Sequence, residues 1–154
     1  IGHVQTNKVK YMAPYVQLIH GVDSLKLLIE INKQAKKWRR TIPCLLQVYI
    51  AKEETKFGLE QDELLQLIHS DEFKNLENIK IIGLMGMASF TDKHEIIRNE
   101  FTTLKNIFDY VKPYKLANCE FTYLSMGMSG DYKIAIECGS SMVRIGSNIF
   151  GSRS

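Results

Sequence analysis

The chain has 154 residues, which is the size of one domain and is long enough to bury a core. Its 45% hydrophobic and 24% charged residues are ordinary for a soluble globular protein, and its net charge of +3 is too small to require a nucleic-acid partner. Cys44, Cys119 and Cys138 form no CxxC pair, and no apolar run is as long as a membrane span. We therefore expect a protein of the reducing cytoplasm, without a disulfide framework and without a membrane partner.

Short apolar runs alternate with amphipathic helical patterns along the first half of the chain. In order, we predict a polar turn with a short helix ended by Pro14, a strand over 18–23, a helix capped by Asp23 or Ser24, a strand over 44–50 and a helix over 61–70. The inward faces predicted for the two longer helices are Leu25, Leu28, Ile29 and Ala35, and then Leu64, Leu65 and Ile68.

The second half repeats this alternation. We predict a strand over 79–88, the longest helix from Asp92 to Pro113, a strand over 123–129, a short helix over 131–138 and a last strand over 141–150 with a turn inside it. One face of the long helix carries Ile97, Phe101, Leu104 and Phe108. Because nearly continuously apolar strands alternate with helices, the pattern predicts an α/β fold with a parallel sheet that is buried on both faces.

The number of strands bears on the architecture. A (β/α)8 barrel needs eight strands and roughly 250 residues, whereas we count about five strands. The sheet is therefore either open, or part of a TIM-type barrel that lacks its first two to three strands. We favour the partial barrel, because the chain begins with Ile1 instead of Met.

Two stretches near the C-terminus have the composition of a binding site. The run from Ser125 to Asp131 is rich in glycine and serine where a strand meets a helix, as in a phosphate site, although a tight turn with an Asp cap is the alternative. Arg144 lies in an otherwise apolar strand and needs a partner there. That partner is either a ring nitrogen or phosphate, or an internal salt bridge to Asp131 or Glu137.

The remaining candidates carry weaker signals. Lys56 could be a base or an anion contact but suits a solvated loop better, and no lysine suits a Schiff base. His20, at a strand end, is best interpreted as a hydrogen-bonded structural histidine. The basic cluster over 33–40 could suggest nucleic acid, but the helix dipole also favours cations at a helix end. We prefer a solvated helix face for this cluster.

With these residues in view, the chain resembles the pyridoxal phosphate homeostasis proteins, which are single-domain relatives of the alanine racemase N-terminal barrel. The matching stretches occur in the same order over almost the whole chain: 1–10, 53–58, 83–88, 124–131 and 142–151. The last two read Leu124-Ser-Met-Gly-Met-Ser-Gly-Asp131 and Met142-Val-Arg-Ile-Gly-Ser-Asn-Ile-Phe-Gly151.

The resemblance implies a pyridoxal 5'-phosphate (PLP) site and a role for each of several residues. Ser129 and the backbone near Gly130 would hold the cofactor phosphate, with Gly146 and Ser147 completing the cup. Arg144 would face the pyridine nitrogen and keep it unprotonated, which weakens the ring as an electron sink. The resemblance also implies two methionines around the ring and three polar residues on the same rim. These residues are Met87, Met126, His3, Asn7 and Lys8.

One departure from the family pattern changes this expectation. The family's Schiff-base lysine lies on the first barrel strand and a Gly-Glu-Asn motif on the second, and this sequence contains neither. We therefore expect residues 1–154 to be the C-terminal two-thirds of a single barrel domain, unable to attach PLP through the usual lysine. The expected function is a non-catalytic PLP carrier or regulator, with a PLP-dependent, amino-acid racemase-like enzyme as the alternative. Expected partners are PLP, phosphate or sulfate, and a second copy bound through exposed strand edges.

Overall fold

The computed structural model describes residues 2–54 and 57–152. Within these residues six strands form one sheet. Their bounds are β1 Ile19–Val22, β2 Ile42–Gln47, β3 Ile79–Gly86, β4 Lys115–Leu116, β5 Cys119–Met128 and β6 Met142–Arg144. The helices are α1 Val9–Met12, α2 Leu25–Lys37, α3 Gln61–His69, α4 Asp71–Lys74, α5 His94–Val111, α6 Tyr132–Glu137 and α7 Ser147–Phe150, and a 3₁₀ turn over Thr6–Lys8 precedes α1.

The sheet confirms the predicted parallel arrangement. Strands β1, β2, β3, β5 and β6 are neighbours in that order and all pair in parallel, with helices in the connections. The short β4, which the sequence pattern did not predict, runs antiparallel to the start of β5. Since parallel strands place their carboxyl ends at one edge, the residues that follow β5 and β6 lie at the same edge of the sheet.

The helices bury the faces that their apolar spacing predicted, with two shifts. Ser24 caps α2 by accepting a hydrogen bond from the Leu27 backbone N–H at 3.1 Å. Ile29 is 39% exposed, and Leu27 and Ile31 take the inward positions instead. In α3, Leu65 is half-buried and Leu67 is buried. All four residues predicted for the face of α5 are buried.

The predicted strand over 141–150 is wrong in its second half. The strand ends at Arg144, and Ser147–Phe150 forms the short helix α7. Ile149 and Phe150 are 67% and 85% exposed, so their apolar character does not reflect a buried strand. The extra helix α4 was also missed, because four residues are too few for a periodic pattern.

The outermost parallel strands of the sheet, β1 and β6, each have one neighbouring strand in the part of the chain that the structure describes. Among the described residues, β1 pairs only with β2, and β6 pairs only with β5. In the same part of the chain, no helix is long and apolar enough to cross a membrane.

Candidate functional site

The carboxyl ends of β5 and β6 are joined by hydrogen bonds to one serine. Ser129 directly follows β5, and its hydroxyl oxygen accepts hydrogen bonds from the backbone N–H groups of Gly146 and Asn148, both at 3.2 Å. The Asn148 side-chain amide also donates to the Ser129 carbonyl oxygen at 3.2 Å. Two backbone N–H groups that converge on one oxygen form an arrangement that can also bind an oxygen of an anion.

The space beside this serine is open. A cavity of about 320 Å³ is lined by His94, Ser129, Gly130, Asp131, Tyr132, Lys133, Ile134 and Asn148. A Cβ atom added to Gly130 or Gly146 would meet no heavy atom within 4 Å. Ser147, the first residue of α7, is exposed next to Gly146. Of the predicted residues, Ser129 and Gly130 line the cavity, and Gly146 is held next to Ser129 by its hydrogen bond, with Ser147 following it.

Arg144, the last residue of β6, is buried and only 6% exposed. Its Nη1 donates to the Ser125 hydroxyl at 2.6 Å, and its Nη2 donates to the Gly86 carbonyl oxygen at 3.1 Å. The Nε atom is buried and has no hydrogen-bond partner within the described ranges. Burial lowers the pKa of Arg144 to about 10, and the nearby charge of Asp131 opposes that shift. The guanidinium therefore stays charged at neutral pH.

The salt bridge considered for Arg144 is not formed among the described residues. Glu137 pairs with Arg98 instead, with 2.5 Å between its Oε2 and the arginine Nη2. Asp131 uses its Oδ1 to accept a hydrogen bond from the Met128 backbone N–H at 2.7 Å. The buried guanidinium is thus held by a hydroxyl and a carbonyl, and its Nε is the one nitrogen without a partner among the described residues.

His20 lies in β1 and is half-buried. Its pKa is lowered mainly by burial, and the positive charge of Arg144 contributes to that shift. The interpretation of His20 as a hydrogen-bonded structural histidine is not supported at Nδ1, which is buried and has no partner in the part of the chain that the structure describes.

The other predicted residues are more dispersed. His3 is exposed, stacks on the Phe57 ring with 4.1 Å between ring centroids, and places its Nδ1 3.6 Å from the Asp23 carboxylate. Asn7 is exposed in the 3₁₀ turn, and Lys8 follows it with its Nζ 5.9 Å from the Tyr11 ring centroid. The predicted contacts of His3, Asn7 and Lys8 with a ligand therefore stay predictions.

The two predicted methionines occupy different environments. Met87 is half-buried directly after β3. Met126 is fully buried in the main apolar cluster and pairs in register with Gly86, whose added Cβ would meet Leu104 of α5. Met126 therefore supports β5 from the helix side, and its contact with a ring stays a prediction. Lys56 lies outside the described residues.

Sequence reasoning missed three parts of the site. Asn148 supplies a second N–H to the Ser129 hydroxyl, and Ser125 and Gly86 hold Arg144. All three lie inside stretches that matched the resemblance, so the signal was present, but their roles depend on contacts between strands.

A buried carboxylate orders the same edge of the sheet. Glu100 of α5 is 4% exposed and accepts hydrogen bonds from the Ser89 backbone N–H at 2.7 Å and from the Ser89 hydroxyl at 2.8 Å. The Ser89 hydroxyl in turn accepts a hydrogen bond from the Lys52 backbone N–H at 3.1 Å. These bonds tie the loops after β2 and β3 to α5. Over the described ranges, no group of three or more His, Cys, Asp or Glu side chains could hold a metal ion.

Comparison with known protein families gives one match over the full chain. A family model described as the alanine racemase N-terminal domain matches residues 1–154. A pyridoxal phosphate homeostasis protein of Aquifex aeolicus is 39% identical over 153 residues, which cover 99% of this chain and 65% of that protein. One of Helicobacter pylori is 37% identical over 151 residues, covering 97% of this chain and 64% of that protein. The chain thus spans a little under two-thirds of the length of these relatives.

Solved structures show the same fold. PipY of Synechococcus elongatus, in a structure with PLP bound, superposes with a TM-score of 0.84 at 26% identity over 98% of this chain and 68% of that chain. An unknown protein from Bifidobacterium adolescentis has a TM-score of 0.87 at 32% identity, over 97% of this chain and 59% of that chain. An alanine racemase of Clostridium difficile, with a TM-score of 0.72 at 19% identity over 99% of this chain and 38% of that chain, shares the fold.

Proposed function

The chain belongs to the alanine racemase N-terminal domain family, and on that premise we propose that it forms the phosphate and ring-nitrogen side of a PLP site. The observation that carries the proposal is the convergence of the Gly146 and Asn148 N–H groups on Ser129 beside an open cavity. A phosphate oxygen can accept these N–H groups in place of the serine hydroxyl. The Ser147 hydroxyl and the open backbone at Gly130 and Gly146 complete the proposed cup.

The unused donor of Arg144 suits the pyridine nitrogen. A buried N–H without a partner is costly, and an acceptor with a lone pair would remove that cost. The cofactor supplies an electron-accepting ring when bound, and its strength depends on the charge at the ring nitrogen. Because the guanidinium remains charged, protonation of a nitrogen next to it is disfavoured. We propose a non-catalytic carrier or regulator, with a racemase-like enzyme as the alternative.

The wider proposal concerns the complete site. We propose that Met87 lies beside the ring and that His3 and Asn7 lie at its rim. Met126 packs on the helix side of β5, the strand that also carries Ser125. Five parallel strands in chain order fit part of a (β/α)8 barrel, so we propose that residues 1–154 form the C-terminal two-thirds of one such domain. We also propose that these residues bind PLP without covalent attachment through the family's usual lysine, and that they do so in the cytoplasm.

The proposal is tested with a ligand that cannot react with surface lysines. Pyridoxine 5'-phosphate carries the ring and the phosphate but no aldehyde, so calorimetric titration measures non-covalent binding alone. We expect it to bind more tightly than inorganic phosphate by about tenfold or more, which corresponds to one hydrogen bond to a charged donor. Equal affinities would support the second candidate, a phosphate site without a ring preference.

A variant that places a carboxylate in the proposed phosphate cup tests the same site. In Ser129→Asp, the new carboxylate can accept the Gly146 and Asn148 N–H groups, so the fold should remain while the cup is filled by negative charge. We expect this variant to lose binding of both ligands. Thr103→Asp adds the same charge on the exposed face of α5 and should bind both normally. Normal binding by Ser129→Asp would contradict the proposed site.

A further inference from the structure

We propose that the C-terminal end of α2 is a binding surface for single-stranded nucleic acid. This surface, called here the α2 basic end, consists of Lys33, Lys36, Lys37, Trp38 and Arg39, all of which are exposed. The first three lie on one face of the helix because they are three and four positions apart. The cluster was expected to be a solvated helix face, and three observations on the sequence and the structure favour a binding role.

The first observation is the separation of charge along the chain. Residues 1–40 carry eight Lys or Arg against two Asp or Glu, a formal charge of +6, whereas residues 41–154 carry −3. Within residues 2–54 and 57–152, none of the four cations of the α2 basic end forms an ion pair. The small net charge of the whole chain therefore conceals an unneutralised basic surface, which is the electrostatic signature of a polyanion site.

The second observation is that aromatic rings lie among these cations. Arg40 donates to the carbonyl oxygens of Ala13 and Val16, both at 2.5 Å, and so joins the end of α1 to the end of α2. Tyr15, which is 70% exposed, lies between the two carbonyls that Arg40 binds, and Trp38, which is 54% exposed, precedes Arg40 by two residues. Cations that contact phosphates beside rings that stack on bases are the usual elements of single-strand binding. An acidic protein segment would use the cations but leave both rings without a stacking partner.

The third observation is the backbone conformation of Arg39. Its φ is +51°, in the left-handed region, at the position after the helix where glycine is strongly preferred. The Arg40 N–H bonds the Ala35 carbonyl at 3.0 Å, and the Arg39 N–H bonds the Lys36 carbonyl at 3.1 Å, which closes the helix end. The chain thus keeps a strained arginine where glycine would be more stable, and in this position the side chain is exposed to solvent.

The surface is separate from the proposed PLP site. The helix α2 leads into the amino end of β2, whereas the cup follows the carboxyl ends of β5 and β6. In a parallel sheet these ends are opposite edges, about 20 Å apart for a six-residue strand. Binding at the α2 basic end should therefore be unaffected by inorganic phosphate at concentrations that fill the cup.

The experiment uses Trp38, which is the only tryptophan in the chain. Titration of the 154-residue chain with an oligouridylate of about 15 nucleotides, at about 50 mM salt, should quench its fluorescence as a base stacks on the ring. For Arg39→Gly we expect about fivefold weaker binding and a log–log salt slope smaller by about 0.7, which is one lost phosphate contact to a single strand. The same variant should melt about 2–4 °C higher, because the strain is removed.

The matched control is Lys74→Gln, which removes one cation at the end of α4 and should leave binding unchanged. Unchanged binding by Arg39→Gly, or an equal loss with Lys74→Gln, would overturn the proposal. Poly-glutamate that displaces the oligonucleotide at equal charge concentration, without quenching of Trp38, would also overturn it in favour of an acidic protein partner. Absence of any oligonucleotide binding would refute it directly.

Discussion

Arg144 joins three strands through one buried side chain. It belongs to β6, bonds the Ser125 hydroxyl on β5, and bonds the carbonyl oxygen of Gly86 at the end of β3. Hydrogen bonds of this kind to a charged group contribute about 1.5–3 kcal/mol each. The planar guanidinium reaches both acceptors at once, which an ammonium on a flexible chain cannot do with the same geometry. Arg144 therefore stabilises the fold as well as presenting a donor to the candidate site.

Replacement of this arginine by lysine tests that double role. We expect Arg144→Lys to lower the free energy of unfolding by about 2–4 kcal/mol, because at least one buried acceptor is left without a donor. Urea denaturation at pH 7 measures the change. Arg98→Lys is the matched control, since Arg98 forms an exposed pair with Glu137, and it should change stability by less than about 0.5 kcal/mol. Similar losses of stability in the two variants would show that the two hydrogen bonds of the buried Arg144 guanidinium have no special importance.

At the scale of elements, the pairing of β3 with β5 depends on one glycine. A Cβ atom at Gly83 would lie 2.0 Å from the Tyr123 carbonyl oxygen, which is backbone and cannot move aside. The register of the two strands is irregular between Ile81 and Gly83, at the same place. These strands carry Gly86 and Ser125, the two partners of Arg144. The close approach at Gly83 therefore determines how the acceptors of the site are spaced.

The requirement for glycine at this position can be measured. We expect Gly83→Ala to lose about 3 kcal/mol or more of stability, or to fail to fold, because the strands must separate. Gly130→Ala should stay within about 1 kcal/mol of the parent, since its added Cβ meets nothing within 4 Å. Thermal melting followed by far-UV circular dichroism compares the two. A stable Gly83→Ala variant would mean that the pairing of β3 and β5 tolerates a wider spacing.

At the scale of the whole molecule, the sheet has two ends that pair on one side only within the described residues. The strands β1 and β6 each have a single neighbour, and such edges offer unpaired backbone groups to another chain. In a partial barrel of the kind proposed above, both edges would border one interior. Self-association through these edges would therefore also cover the interior that contains the candidate site.

This geometry predicts concentration-dependent association of the chain. Light scattering should give a mass above that of the monomer, and added salt should not reduce it, because backbone pairing is not screened as surface charges are. Arg39→Gly should associate like the parent, which separates the strand edges from the α2 basic end. A constant monomer mass with cooperative unfolding would disprove association through the edges.

Local pattern was sufficient for most of the fold. Apolar periodicity predicted the five parallel strands, the long helix α5 and its buried face. This was possible because burial of one side of a helix, or of both sides of a strand, requires apolar residues at regular positions in the sequence. It failed where apolar residues are exposed, as at Ile149 and Phe150, and where an element is too short to show a period, as in α4 and β4.

The candidate site was likewise predicted only in part from the sequence. The sequence by itself determined which residue types stand at the strand ends, and the matching motifs identified Ser129, Arg144, Gly146 and Ser147 as candidates. Only the tertiary structure decided that Asn148 shares the Ser129 hydroxyl, that the Arg144 Nε has no partner among the described residues, and that Glu137 pairs elsewhere. The physical reason is that hydrogen bonds and burial depend on distances between strands far apart in the chain, which residue order alone does not specify.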